Sequence, residues 1–264
     1  MTTRQPRAAR ARRLTSALAT IAAAAGALTV AAQEPVGIMG INGSWERYPN
    51  IASGLGSDSA RVAPPAPGPI PDPPLKPQYI GEWRASAARA AELIQQGVPQ
   101  PDSGSACLPQ GMPGMMTAIF PMEVLVSPGQ VTMIQEAFNQ VRRVYLDEEL
   151  PAVEDAEPRF SGHSAGRWEG ETLVVETIGV KDYVRFRNVP HSMSMRIVER
   201  IRLVDRDYME NVLTVTDPEY LTAPWTWKWM YRRWPGYKLQ EYVCEDNRYD
   251  PSLEYQQLRV EPAQ

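Results

Sequence analysis

Three side chains of this sequence have the chemistry of acid–base catalysis: His163, His191 and Glu199. The two histidines are the only ones in the chain, and each is followed by a serine. Histidine is the usual general base near neutral pH, and a carboxyl group in apolar surroundings can act as an acid. We therefore predict His163, His191 and Glu199 as candidate catalytic residues. The alternative for the two histidines, which fall in loops or at strand starts, is that they have no chemical role.

The same three residues are also the ligand types of a two-histidine, one-carboxylate metal site. Nothing in their spacing requires such a site. We therefore predict no metal and no other cofactor.

Glu199 falls in a predicted strand, 195–204, with apolar residues alternating along it. The face that includes Glu199 consists of Met195, Ile197, Glu199, Ile201 and Leu203. Because side chains alternate across a strand, this apolar face is predicted to point inward. A buried carboxylate must be paired, hydrogen bonded or protonated. The alternative to a catalytic role is a structural ion pair with Arg143 or Arg167.

Three tryptophans alternate along another predicted strand, 225–233. Indoles on one face form either a wall of the core or an aromatic lining for a ligand. Asn211 is a polar member of the neighbouring strand face, and Arg143 carries a charge that can fix the polar end of a ligand. The predicted ligand-binding residues are Trp225, Trp227, Trp229, Arg143 and Asn211.

Short strands in consecutive hairpins are predicted to position these residues. Turn residues such as Gly and Pro separate them, and no helices fall between them, which disfavours a parallel sheet. The predicted strands are 122–126, 131–137, 141–147, 166–169, 172–180, 195–204, 208–217, 225–233 and 238–245. We predict a mainly β fold: an antiparallel up-and-down meander that forms a barrel or a strongly curved sheet, lipocalin-like in plan.

The other segments of the domain are assigned by periodicity and composition. Apolar residues recur at helical spacing over 78–96, which predicts one N-terminal helix, and Gly97 is a suitable C-cap. Residues 97–119 form a predicted loop rich in Gly, Pro and Met. With the barrel at 120–250, they make a single predicted domain over 78–264.

The segment 33–77 is predicted to be a Pro- and Gly-rich arm or linker. Eight of the fourteen residues from Pro64 to Pro77 are proline, which lacks an amide donor and fixes φ. Such a tract is either a flexible linker or an extended arm over the domain. Before it, Gly43, Ser44 and Trp45 could begin a short strand.

Residues 1–32 are predicted to be a signal peptide. Five arginines precede an alanine-rich apolar run that is shorter than the ~20 residues of a membrane span. Without this segment, 22 basic and 31 acidic side chains remain. That balance argues against a nucleic-acid partner. We expect an exported protein, periplasmic or extracellular, with no membrane span in the mature chain.

Cys107 and Cys244 are the only cysteines. Export to an oxidising compartment favours a disulfide between them. The alternatives are two free thiols or a metal site, which is unusual with two sulfurs and no nearby histidine.

Four stretches of the sequence resemble a family of exported bacterial proteins of unknown function, common in Acidobacteria and sphingomonad-type proteobacteria. The stretches are PPLKPQY (73–79), CLPQGMP (107–113), GHSAGRWEGETLVVET (162–177) and VERIRLVDRDYMENVLTVTDP (198–218). The resemblance implies a secreted single domain in which both cysteines are regular features. The sequence departs from it at 146–149, where Leu-Asp-Glu-Glu replaces an Asp-Gly turn.

Three function classes remain at this point. The first is an exported barrel that binds an apolar or aromatic small molecule, with Glu199 and Arg143 at its polar end. The second is a periplasmic acid–base enzyme, a lyase, isomerase or dehydratase, that uses His163 or His191 with Glu199. A third is an envelope assembly protein that uses the proline arm. The sequence specifies neither the ligand nor the oligomeric state.

Overall fold

The computed structural model describes Met1 and residues 40–49, 63–97, 107–117 and 119–244. Within this part of the chain, nine strands form a closed barrel in sequence order, and one α-helix packs outside it. The strands are β1 Gly43–Tyr48, β2 Met122–Ser127, β3 Gln130–Gln135, β4 Gln140–Leu146, β5 His163–Glu169, β6 Thr172–Ile178, β7 Arg196–Leu203, β8 Tyr208–Thr216 and β9 Trp225–Arg233. The predicted mainly β barrel with one helix is confirmed. The predicted signal peptide, apart from Met1, lies outside the described residues.

The barrel is closed by β1, which pairs with β2 on one side and with β9 on the other. Trp45 is opposite Met122 in the first ladder and opposite Arg233 in the second. The prediction of a last strand over 238–245 is wrong, because the described part of this segment, 238–244, contains no strand. This segment is held by single contacts, such as the 2.8 Å hydrogen bond from Gln240 N to Glu136 Oε2. The barrel therefore begins within the predicted arm and not at residue 120.

One junction of the barrel, β4 with β5, is parallel. Val144 is opposite Ser164, and Leu146 is opposite Gly166. Strand directions cannot alternate at every junction of a closed ring of nine strands, so one junction has to be parallel. A parallel pair needs a long crossover, and residues 147–162 provide it. The predicted all-antiparallel meander is corrected at this junction.

Residues 63–76 lie against the barrel as an extended arm. Leu75 is buried and bridges to Leu221, and Lys76 N donates to Tyr220 O at 2.9 Å. Trp225 Nε1 donates to Pro71 O at 2.9 Å. Prolines keep their carbonyl acceptors although they lack an N–H, so Pro71 can still be bound through its oxygen.

The helix, α1 (Pro77–Gln95), begins with proline in its first turn, where the missing N–H costs nothing. Its single buried residue is Trp83, whose Nε1 donates to Arg187 O at 3.1 Å. Among the described residues, no helix has the length and apolar character needed to cross a membrane.

A methionine-rich segment, residues 111–117, covers the end of the barrel where β4 and β5 begin; we call it the plug. Gly111 N donates to the side chain of Gln140, and Met112 N donates to Phe160 O. Met112, Met115 and Met116 are almost fully buried. Just before the plug, Cys107 is disulfide bonded to Cys244, with Cα atoms 5.6 Å apart. The predicted disulfide is confirmed.

Candidate functional site

An ion pair lies inside the barrel. Arg142 Nη2 donates to Glu199 Oε2, and the two side chains are 1% and 0% exposed. Asn211 Nδ2 donates to Glu199 Oε1 at 2.8 Å. Glu199 therefore faces inward, as the alternation of β7 predicts, and both of its carboxylate oxygens accept a hydrogen bond from a protein side chain.

The arginine partner of Glu199 is not one of the two predicted. Arg143 is exposed on the outer face of β4, and Arg167 pairs with Glu169 at 2.8 Å on the surface. Strand alternation makes Arg142 the inward arginine, next to Val144. Since valines stand on both faces of β4, the local pattern does not decide which face is inner. The predicted role of Arg143 inside the barrel is corrected.

Two hydroxyls position the buried guanidinium. Arg142 Nε donates to Ser164 Oγ at 3.1 Å, and its Nη2 donates to Thr177 Oγ1 at 2.9 Å. The two hydroxyl oxygens are 2.8 Å apart. Such support offsets the high cost of taking a charge out of water. We call Arg142, Ser164, Thr177, Glu199 and Asn211 the inner polar cluster.

The barrel interior also holds buried polar atoms without a hydrogen-bond partner in the described residues. On β4, β8 and β9 these are Arg142 Nη1, Asn211 Oδ1, Trp227 Nε1 and Trp229 Nε1. Asn211 stands directly opposite Trp229 in the β8–β9 ladder, so their side chains share the inner face. A buried polar atom without a partner costs about 1–3 kcal/mol. Four such atoms therefore lie on β4, β8 and β9.

Tyr231 connects this region with the plug. Its hydroxyl donates to Met116 O, and its ring is buried at the inner face of β9. Burial raises the pKa of the Tyr231 phenol, and the nearby Glu199 carboxylate raises it further. Tyr231 is therefore a neutral donor that fixes the plug over the inner polar cluster.

Arg47 contacts the same part of the plug from β1. Its Nη1 donates to Thr117 O at 2.5 Å, and its guanidinium carbon is 4.8 Å from the centroid of the Trp229 ring. Arg47 is directly opposite Tyr231 in the β1–β9 ladder. Burial lowers the pKa of Arg47. The plug, the Trp229 indole and the Tyr231 phenol thus surround the half-buried guanidinium of Arg47.

The tryptophans of β9 divide into two environments. Trp225 and Trp227 pack with ring centroids 4.6 Å apart, and Phe186 stacks on Trp227 at 5.4 Å. The indole N–H of Trp225 is bound to the arm, whereas those of Trp227 and Trp229 have no partner in the described residues. The indole N–H groups of Trp227 and Trp229 therefore differ from that of Trp225 in being unpaired within the described residues.

The two histidines lie in separate surroundings. His163, the first residue of β5, has Nε2 2.8 Å from Glu157 O and lines a surface cleft of about 400 Å³ with Arg143 and Arg159. His191 is buried, with Nε2 2.8 Å from Val184 O, and it lines a small apolar cavity with Trp225.

The three predicted catalytic residues are not brought together. In the described part of the chain, no hydrogen bond or ion pair joins any two of His163, His191 and Glu199. Nor do three or more His, Cys, Asp or Glu side chains there form a group that could hold a metal ion. Their joint catalytic role stays a prediction without a geometric counterpart.

Sequence reasoning missed Arg142, Arg47 and Tyr231. Tyr231 continues the alternation of the tryptophans along β9, and Arg47 alternates with the buried Trp45 in β1. Both residues could therefore be assigned to the inner face once the two strands were predicted. The pattern of β4 did not identify Arg142 as inward-facing, because valines stand on both faces of this strand.

No protein-family model matches the chain, and a search of curated proteins finds no match. Function therefore has to be inferred from the contacts of the site.

Proposed function

We propose that this protein is an exported β-barrel that binds a small apolar or aromatic molecule, with the ligand's polar end at Arg142, Asn211, Trp227 and Trp229. The observation that carries the proposal is the set of buried, unpartnered polar atoms that these four side chains present inside a closed barrel. A ligand that accepts from the two indoles and the guanidinium would remove their desolvation cost.

The walls of the site suit an apolar ligand. Aromatic rings of β9 lie on one side, and the methionines of the plug cover the barrel end. Methionine side chains are flexible and adapt to ligands of different shape. The plug fills the barrel end in this structure, so we propose that binding shifts it. Few hydrogen bonds would have to change, notably those of Met116 O and Thr117 O.

Export is the proposed setting of this function. It is supported by the basic and apolar pattern of residues 1–32 and by the disulfide between Cys107 and Cys244. A periplasmic or extracellular binder would meet its ligand in an oxidising compartment.

The acid–base enzyme receives less support. A general acid needs a proton-transfer path to its substrate, but both oxygens of Glu199 already accept hydrogen bonds from Arg142 and Asn211. His163 and His191 each contact a backbone carbonyl away from Glu199. A lyase, isomerase or dehydratase reaction therefore remains the second hypothesis.

Native mass spectrometry of the protein purified with its disulfide intact would test the proposal. We expect a retained or added aromatic small molecule at one per chain. Intrinsic tryptophan fluorescence then measures affinity for a panel of such molecules. Trp227→Phe removes one indole donor and should weaken binding about five- to tenfold, as expected for one hydrogen bond.

Trp234→Phe is the matched control. Trp234 follows β9 and stacks on Tyr237 with centroids 3.9 Å apart, so this change should leave affinity unaltered. Equal affinity of wild type and Trp227→Phe would contradict binding at the inner site. Turnover of a substrate that is lost in His163→Ala or His191→Ala would favour the enzyme.

A further inference from the structure

The cation of Arg47 has no carboxylate partner in the described part of the chain. Its side chain donates a hydrogen bond to Thr117 O and stacks over Trp229. A half-buried guanidinium held only by a carbonyl and a ring keeps its full charge in a region of reduced dielectric.

The other charges nearby do not balance Arg47. Arg142 and Glu199 neutralise each other within the inner polar cluster. Glu46 alternates to the outer face of β1 and pairs with Arg232, with Arg232 Nε 2.7 Å from Glu46 Oε1. Asp217, after the end of β8, accepts backbone N–H groups, including that of Ser192 at 2.6 Å. No carboxylate of the described residues therefore forms an ion pair with Arg47.

Arg233, an inward-facing arginine of β9, is separate from this region. It lies over Trp45 at the opposite end of the barrel and donates to the carbonyls of Gly40 and Asn42. Burial lowers the pKa of Arg233, and the nearby Asp207 carboxylate opposes this shift.

The unpartnered atoms of the site also favour an acceptor-rich ligand. Three of the four are donors: Arg142 Nη1, Trp227 Nε1 and Trp229 Nε1. Only Asn211 Oδ1 is an acceptor. An ionised carboxylate offers about four acceptor positions and no donor, whereas an amide replaces half of them with donors.

We infer that the ligand of this barrel is an anion, an aromatic or apolar monocarboxylate whose charge Arg47 balances. The inference rests on the proposed function and adds the chemical class of the ligand. The carboxylate replaces Thr117 O as the acceptor of Arg47 Nη1, because a charged acceptor binds a guanidinium more strongly than a carbonyl does. Ligand binding thereby releases one of the contacts that hold the plug.

A matched pair of probes tests the charge. Naphthalene-2-carboxylate and its neutral counterpart naphthalene-2-carboxamide have nearly the same shape. Titrated into the full disulfide-bonded protein by tryptophan fluorescence or calorimetry, the carboxylate should bind about tenfold more tightly than the amide. That preference should shrink only slightly at high salt, because ions screen a partly buried pair much less than an exposed one.

Variants then assign the preference to Arg47. Arg47→Met should abolish the roughly tenfold preference and bring the affinities of the two probes within about twofold of each other, whereas Arg47→Lys should keep the order of the two probes. Arg143→Met, on the exposed outer face of β4, is the control and should change neither affinity.

The outcomes separate the two proposals. If the wild-type protein binds the amide as tightly as the carboxylate, the ligand is not selected for charge, and the inference is overturned while the binding function stands. This comparison needs no variant, so it holds even if Arg47→Met does not fold. An undiminished preference in folded Arg47→Met also overturns it. If no molecule of either kind binds, the proposed function fails.

Discussion

Arg142 and Glu199, from strands on different sides of the parallel junction, form a fully buried ion pair inside the barrel. Asn211, Ser164 and Thr177 satisfy other atoms of the pair. Removing one member of such a pair leaves a buried charge without its counter-ion, which costs more than the pair itself contributes. The pair therefore makes the interior sensitive to single substitutions.

Glu199→Gln should destabilise the protein by about 3–5 kcal/mol, because Arg142 then stays buried and unbalanced. Chemical denaturation with the disulfide intact measures this loss. The double variant Arg142→Met/Glu199→Leu removes both charges and should recover much of it. A cost of Glu199→Gln below about 1 kcal/mol would contradict a tightly coupled buried pair.

The disulfide between Cys107 and Cys244 should contribute strongly to stability, because it spans 137 residues. The chain-entropy treatment gives an upper value of about 4–5 kcal/mol for a loop of this size. The double variant Cys107→Ser/Cys244→Ser should show this as a lower midpoint of unfolding. Unchanged stability would mean that the link does not constrain the unfolded chain.

The free energy of unfolding should fall at alkaline pH because of Tyr231. The pKa of this phenol is raised in the folded protein, so the folded state keeps a proton that the unfolded state loses above about pH 10. The contribution of the Tyr231 proton to the free energy of unfolding is complete below pH 10 and declines above it, by about 1.4 kcal/mol per pH unit. Denaturation curves between pH 9 and 11 test this. Tyr231→Phe should have a shallower decline, and an identical slope would contradict the assignment.

Gly111→Ala should disturb the start of the plug. Gly111 has φ +64°, and a Cβ there would lie 2.4 Å from Phe160 O. We expect a loss of about 1–3 kcal/mol, measured by thermal unfolding. Gly114→Ala is the control in the same segment, since its Cβ would meet its nearest neighbour at an ordinary 3.5 Å. Equal effects of the two changes would show that the conformation of Gly111 is not required.

Much of the prediction depended on the alternation of side chains between the two faces of a strand. Glu199 and the β9 tryptophans were assigned to the inner face from their own segments, because side chains of a strand alternate wherever it is placed. Turn residues set most hairpins in the same local way. At 146–149 the usual turn is absent, and the structure has the parallel junction just there.

Local periodicity and composition were enough to predict the β-rich meander, the helix, the disulfide between the only two cysteines and the inward-facing carboxylate. The three-dimensional structure was needed to show that Gly43–Tyr48, not 238–245, closes the barrel, and that Arg142, not Arg143, meets Glu199. It also placed the two histidines apart and set Arg47 under the plug. These facts depend on which distant strands become neighbours when a ring of nine closes, and no segment contains that information alone.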